Sequence, residues 1–221
     1  VHSEQAYLLR SRVYLDLDRP QIAIAELNKA VDLVPNNALL YQSRSTIYHE
    51  LNRDQEAIND LNRVIELLPE NAEAYYARGT IYDQQSQFDQ AIDDFDRAIH
   101  LDRLFTLAYN NRGLTYARLG ELALAVKDFD RAIHLDPELD LAYNNRGFVY
   151  RELGRLEESV QDLNQAILLN PRMALAYFNR ALTNILLGND DGASHDAARA
   201  VEMGMDPKKM DEAIRITRQA R

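Results

Sequence analysis

Residues 108–137 read AYNNRGLTYARLGELALAVKDFDRAIHLDP, and residues 142–171 read AYNNRGFVYRELGRLEESVQDLNQAILLNP. The two stretches are near-copies set 34 residues apart. In and just before the first, Leu107, Ala108, Asn111, Leu114, Thr115 and Arg118 fall at helical spacing. Ala125, Val126, Phe129, Ala132 and Ile133 form a second helical face. Gly120 interrupts the two where a helix C-terminus favours glycine. Pro137 ends the second run, because proline cannot continue a helix. Each copy therefore reads as a helix–turn–helix hairpin. No strand-like alternation occurs anywhere in the chain, and the predicted class is all-α.

The period extends outward. Pro35, Pro69, Pro137 and Pro171 stand 34 residues or twice 34 apart, with Arg103 in the missing slot. Six units fit, at 4–37, 38–71, 72–105, 106–139, 140–173 and 174–207, in a single domain over 1–221. Tyr7, Tyr41, Tyr75, Tyr109, Tyr143 and Tyr177 recur in register, followed seven residues later by Tyr14, Tyr48, Tyr82, Tyr116 and Tyr150. Packing between hairpins explains these eleven; Tyr76 is left over as a ligand anchor. Gly79, Gly113 and Gly147, with Ala91 and Ala125 opposite, predict close approach of the paired helices. The last unit departs from the pattern at Asn184, Ala197 and Met205, as expected where stacking stops. A capping helix is predicted over 208–221, starting near Pro207. It would cover the apolar end with Met210, Ala213, Ile214 and either Ile216 or Thr217.

The chain has 221 residues, no cysteine, 46% hydrophobic and 27% charged residues, and a net charge of −10. Disulfides and thiolate metal sites are excluded. An acidic chain argues against nucleic acid as partner, since that affinity rests largely on basic contacts. No stretch approaches the ~20 apolar residues of a membrane span. Val1 to Arg10 lacks the basic start and apolar run of a secretory leader. The absent initiator methionine suggests a mature product or an excised fragment, and upstream repeats are one expectation. A soluble chain follows, with the cytoplasm favoured and a secreted or periplasmic mature form left open. Lys208, Lys209, Arg215, Arg218 and Arg221 make the last segment basic, either as a contact site or as a solvated terminal helix.

Tyr109, Gly113, Tyr116, Ala125, Phe129, Ala132 and Pro137 match the pattern of the tetratricopeptide repeat (TPR), and the other units repeat most of these places. The chain resembles that family over almost its whole length, and its NRG and AIxDxxxAIxLxP phrases resemble bacterial members. The resemblance implies a right-handed superhelical α-solenoid whose first helices line a concave groove.

One departure from the family recurs in every unit. Arg10, Arg44, Arg78, Arg112, Arg146 and Arg180 replace its usual leucine, and each is followed sixteen residues later by Glu26, Asp60, Asp94, Asp128, Asp162 or Asp196. The columns predict structural ion pairs within or between units; the alternative is a basic stripe for an acidic ligand.

Carrying the family's groove places over gives an apolar floor in the C-terminal units: Leu107, Leu141 and Leu175, then Leu114, Phe148 and Leu182, with Phe178. Asn110, Asn111, Asn144, Asn145 and Asn179 cross it, joined by Arg151. Asparagine offers both donor and acceptor and can grip an extended backbone. The alternative is that these apolar residues pack between helices. The N-terminal units place Leu8, Leu9, Arg12, Leu15, Asp16, Gln42, Ser43, Thr46, His49, Glu50, Tyr76, Ala77, Thr80, Asp83 and Gln84 there. The lysines of a chaperone-tail clamp are missing.

No phosphate loop and no Ser–His–Asp or Cys–His set is present, so no enzyme, catalytic residue, cofactor or metal is expected. The segment from Gly188 to Gly192 reads as a turn rather than a calcium loop, and His100 and His134 as solvent-facing. The expected function is a scaffold holding a protein or peptide. The alternatives are a self-associating homo-oligomer using its groove, and a targeting or regulatory module of a larger enzyme or assembly.

Overall fold

The computed structural model describes residues 4–221. Among them lie thirteen helices and no strand. The first helices of the repeats are α1 (Glu4–Asp16), α3 (Ala38–Glu50), α5 (Ala72–Gln84), α7 (Thr106–Arg118), α9 (Asp140–Glu152) and α11 (Ala174–Leu187). The second helices are α2 (Pro20–Leu33), α4 (Asp54–Leu67), α6 (Phe88–Leu101), α8 (Leu122–Leu135), α10 (Leu156–Leu169) and α12 (Asp190–Glu202), followed by α13 (Pro207–Ala220). The chain divides into two compact bodies, one ending at Phe105 and the other beginning at Thr106.

The turn between first and second helices uses one device throughout. Asp18, Asn52, Ser86, Gly120, Gly154 and Gly188 have φ between 55° and 81°. Each N–H in this place returns to a carbonyl near the helix end, as Gly120 does to Ala117 at 3.1 Å. The left-handed residue closes the helix by satisfying its last acceptors. Between repeats, the residues ending α6 and α8, Asp102 and Asp136, are extended.

In the N-terminal body, Leu27, Leu40, Ile47, Leu61, Val64 and Ile81 form the center of one buried cluster. Phe95 is fully buried beside Gly79, where a Cβ would lie 3.0 Å from its ring. In the C-terminal body the same fit recurs at Gly113 against Phe129 (2.9 Å) and at Gly147 against Leu163 (2.8 Å). The glycines therefore make room for the large residue of the second helix, not only for the small alanines expected opposite them. Interiors packed this closely leave no space for an added methyl.

α13 lies against α11. Met210 is buried, Ala213 and Ile214 are half-buried against Phe178 and Leu182, and Asp206 caps the helix through Lys208 N. Thr217 faces inward, whereas Ile216 is exposed. Asn189 caps α12 by accepting from Gly192 N at 3.1 Å, so the Gly188–Gly192 segment is a helix–helix turn.

Candidate functional site

The arginine column sits inside the hairpins. Arg44 donates Nε and Nη2 to the two oxygens of Asp60 at 2.8 and 2.6 Å. Arg78–Asp94, Arg112–Asp128, Arg146–Asp162 and Arg180–Asp196 repeat the fork at 2.6–2.8 Å. The guanidinium planes also lie between tyrosines: Arg146 is 5.8 Å from the Tyr143 ring and 5.6 Å from Tyr150. In the sixth repeat Asn184 stands in the second tyrosine's place and donates to Asp196 at 3.2 Å instead.

A third contact reaches the preceding repeat. The Nη1 of Arg44, Arg78, Arg146 and Arg180 donates to Asn28, Asn62, Asp130 and Asn164 at 2.5–2.7 Å. Bidentate charge-assisted geometry of this kind is strong and specific. Asp60 holds the Arg44 guanidinium above its ordinary value, as Asp94 does that of Arg78. Burial alone would lower Arg146, but Asp162 and Asp130 outweigh it and raise it. These cations are consumed internally, so no basic stripe remains for an acidic ligand. Arg10 is the weak member: its side chain is 44% exposed, and its Nε stands 2.9 Å from Glu26 Oε2 without hydrogen-bond alignment.

The asparagines do not form the open floor expected of them. Asn110, Asn144 and Asn179 are buried. They and their neighbours join in one relay. Arg151 Nη1 donates to Asn179 (3.4 Å), Asn179 to Asn144 (3.0 Å) and Asn144 to Asn145 (3.2 Å). Asn145 then donates to Asn110 (3.2 Å), and Asn110 to Asn111 (3.1 Å). The physical reason is that a buried amide must be satisfied, and the nearest partner is the amide of the adjacent repeat. Arg151 is likewise engaged, with its guanidinium 5.0 Å from the Phe148 ring and bonded to Glu152.

Several apolar candidates also turn inward. Leu114 and Phe148 pack against the Ala125–Phe129–Val149 cluster. Leu182 is buried and Phe178 half-buried beneath α13. Tyr76 is not an unused aromatic: its ring centroid is 4.8 Å from that of Phe105 and 6.0 Å from Phe95. Leu107, Leu141 and Leu175 behave otherwise, with 41–47% of their surface exposed, and Leu39 holds the same place in the second repeat at 54%.

In the N-terminal body, α1 and α3 border an open cleft of about 480 Å³. Gln5, Leu8, Leu9, Ser11, Arg12 and Leu15 form one wall. Leu39, Ser43, Thr46, Ile47 and Glu50 form the other. Ser11 turns its hydroxyl to Leu8 O at 2.7 Å, and Thr46 to Gln42 O at 3.2 Å. Leu8, Leu9, Arg12, Leu15, Ser43, Thr46 and Glu50 thus come together, whereas Tyr76 lies elsewhere.

Descriptions of the tetratricopeptide repeat match residues 4–37, 46–86, 76–140, 129–161 and 149–188. The chain is a tetratricopeptide-repeat protein. Its fold is all-α, built of the family's helix–turn–helix repeats, which serve as protein–protein interaction scaffolds. No curated protein matches the chain significantly. Among solved structures, MamA is 26% identical, with 77% of this chain and 93% of that one covered and a TM-score of 0.68. A TPR protein from Parabacteroides merdae is 19% identical over 98% and 99% of the two chains, with a TM-score of 0.75. YrrB, described as a TPR protein with an unusual peptide-binding site, is 21% identical over 85% and 96%, with a TM-score of 0.66.

Within this TPR chain, two features escaped the sequence reading. The column at Asn28, Asn62, Asp130 and Asn164 recurs two residues after each acid, a signal visible in the repeat. Leu39 occupies the second place of its repeat, as Leu107, Leu141 and Leu175 do in theirs. Among the described residues no cluster of potential metal ligands occurs, and no helix is long and apolar enough to cross a membrane. His100 and His134 are exposed.

Proposed function

We propose that this TPR chain holds a segment of another protein, or a peptide, against the first helices of its repeats. The observation carrying this reading is the recurrence of an exposed leucine in one register, at Leu39, Leu107, Leu141 and Leu175. Packing accounts for the tyrosines, the arginines and the buried asparagines, but not for these. Exposed apolar side chains in repeated array mark contact surfaces. The α1–α3 cleft adds a concavity with apolar walls. YrrB, a chain of similar fold, is described as having an unusual peptide-binding site, which supports the reading.

The test is selection of a random peptide library on the wild-type chain and on a variant with Leu39, Leu107, Leu141 and Leu175 changed to Asp. Wild type should enrich a family of sequences, and the variant, with unchanged circular dichroism, should not. Equal enrichment on both would sink the proposal. Light scattering across a concentration series tests the self-associating reading: growth in mass that the aspartates abolish would assign the leucines to a second copy of the chain.

A further inference from the structure

The α1–α3 cleft carries more information than its apolar walls. Arg12 stands on one wall and Glu50 on the other. Both are exposed, and among the described residues neither makes a hydrogen bond or an ion pair. By contrast, Arg44 and Arg146 are forked onto carboxylates, Arg151 lies over the Phe148 ring, and Glu73 in the next repeat accepts from Gln42 at 3.4 Å. Asp16, one turn beyond Arg12 on α1, does not line the cleft. The pocket thus presents an unneutralised cation and an unneutralised anion around Leu8, Leu9, Leu15 and Leu39.

We infer that the cleft selects an extended segment with an apolar side chain flanked by opposite charges, its carboxylate meeting Arg12 and its ammonium or guanidinium meeting Glu50. This rests on the peptide-binding reading above and names the chemistry of the occupant. The leucines provide a socket for the apolar residue, whose burial supplies most of the affinity. The two charges add discrimination more than strength, because partly solvated pairs are weak but like-charge juxtapositions are disfavoured. Long-range attraction alone gives a different order: a chain of net charge −10 would favour a doubly basic segment everywhere.

Three short labelled peptides decide the matter by fluorescence anisotropy. Each has one central leucine, flanked by one acid and one base, by two acids, or by two bases. The mixed peptide should bind wild type about fivefold more tightly than either like-charged one, with the gap narrowing as salt rises. Arg12→Glu should make the doubly basic peptide the best ligand, and Glu50→Lys the doubly acidic one. Both side chains are exposed and unpaired, so both variants should fold, which circular dichroism checks. If neither reversal changes the order of the peptides while Leu39→Asp abolishes binding, the charge assignment fails and the peptide reading survives. If no peptide binds wild type, or Leu39→Asp changes nothing, the cleft is not a peptide site and both fail.

Discussion

The two bodies of this TPR chain build the same hairpin and finish its inner surface differently. In the C-terminal body, the fifth and sixth places of the first helices hold asparagines except at Phe178, and these asparagines close on one another in the relay from Asn179 to Asn111. In the N-terminal body the same places hold Leu8 and Leu9, Gln42 and Ser43, Tyr76 and Ala77. No comparable chain of amides can form there, and the α1–α3 cleft stays open. The turns differ as well: Asp18, Asn52 and Ser86 accept the left-handed conformation where Gly120, Gly154 and Gly188 adopt it without a Cβ. A repeat therefore dictates the hairpin, while a few variable places decide whether its face is sealed or left available.

The largest effect expected from this contrast concerns the arginine column. Asp162→Ala should leave the Arg146 guanidinium buried without its main partner and cost roughly 3–5 kcal/mol in urea denaturation. Glu26→Ala frees an Arg10 side chain that already reaches water, and should cost about 1 kcal/mol or less. Equal losses would erase the distinction between a sealed repeat and a loosely closed one.

Next comes the relay. Asn144→Leu removes the acceptor of Asn179 and the donor to Asn145, and a thermal melt should report about 1–3 kcal/mol of lost stability. Gln42→Ala, at the corresponding place of the other body, should stay within about 0.5 kcal/mol. A neutral Asn144→Leu would mean that the amides contribute nothing as a network.

The turns should give a smaller, signed pair. Ser86→Gly relieves a left-handed non-glycine residue and should stabilise by about 0.5–1 kcal/mol, while Gly120→Ser should destabilise by a similar amount. If both destabilise, the backbone at Ser86 is not strained.

The smallest effect should be shared by the two bodies. Hydrogen bonds from Arg53 and Arg155 hold the Glu56 and Glu158 carboxyls below their usual value of 4.5. A depressed folded value means stability present above that range and lost as pH falls through the lowered one. The melting-temperature gap between wild type and either Glu56→Gln or Glu158→Gln should therefore be open at neutral pH and close in acid. A gap that persists in acid would contradict the pairing.

Much of this was legible in the order of the residues. The 34-residue spacing of prolines and tyrosines marks the hairpins, because helix period and helix breaker are both local properties. The sixteen-residue offset between arginine and acid is equally plain, since it joins two helices of one hairpin. Exposure was not legible in the same way. Asn110 and Leu107 both occupy places that face inward in related repeats, yet one is buried and the other open. What decides between them is the side chain presented by the adjacent repeat, here Asn145. Tyr76 shows the same limit, because its partner Phe105 replaces no recognisable part of the repeat.

The guanidinium of Arg44 touches its own second helix through Asp60 and the previous one through Asn28, and Arg78, Arg146 and Arg180 do likewise. The outer acceptor is an asparagine in some repeats and an aspartate in another, so it is interchangeable. A gene encoding such a chain can gain or lose a whole interior repeat and leave each arginine with both acceptors, whereas an insertion of a few residues would put the next fork out of step. Length can thus change in whole multiples of the period while the stacking rule is preserved.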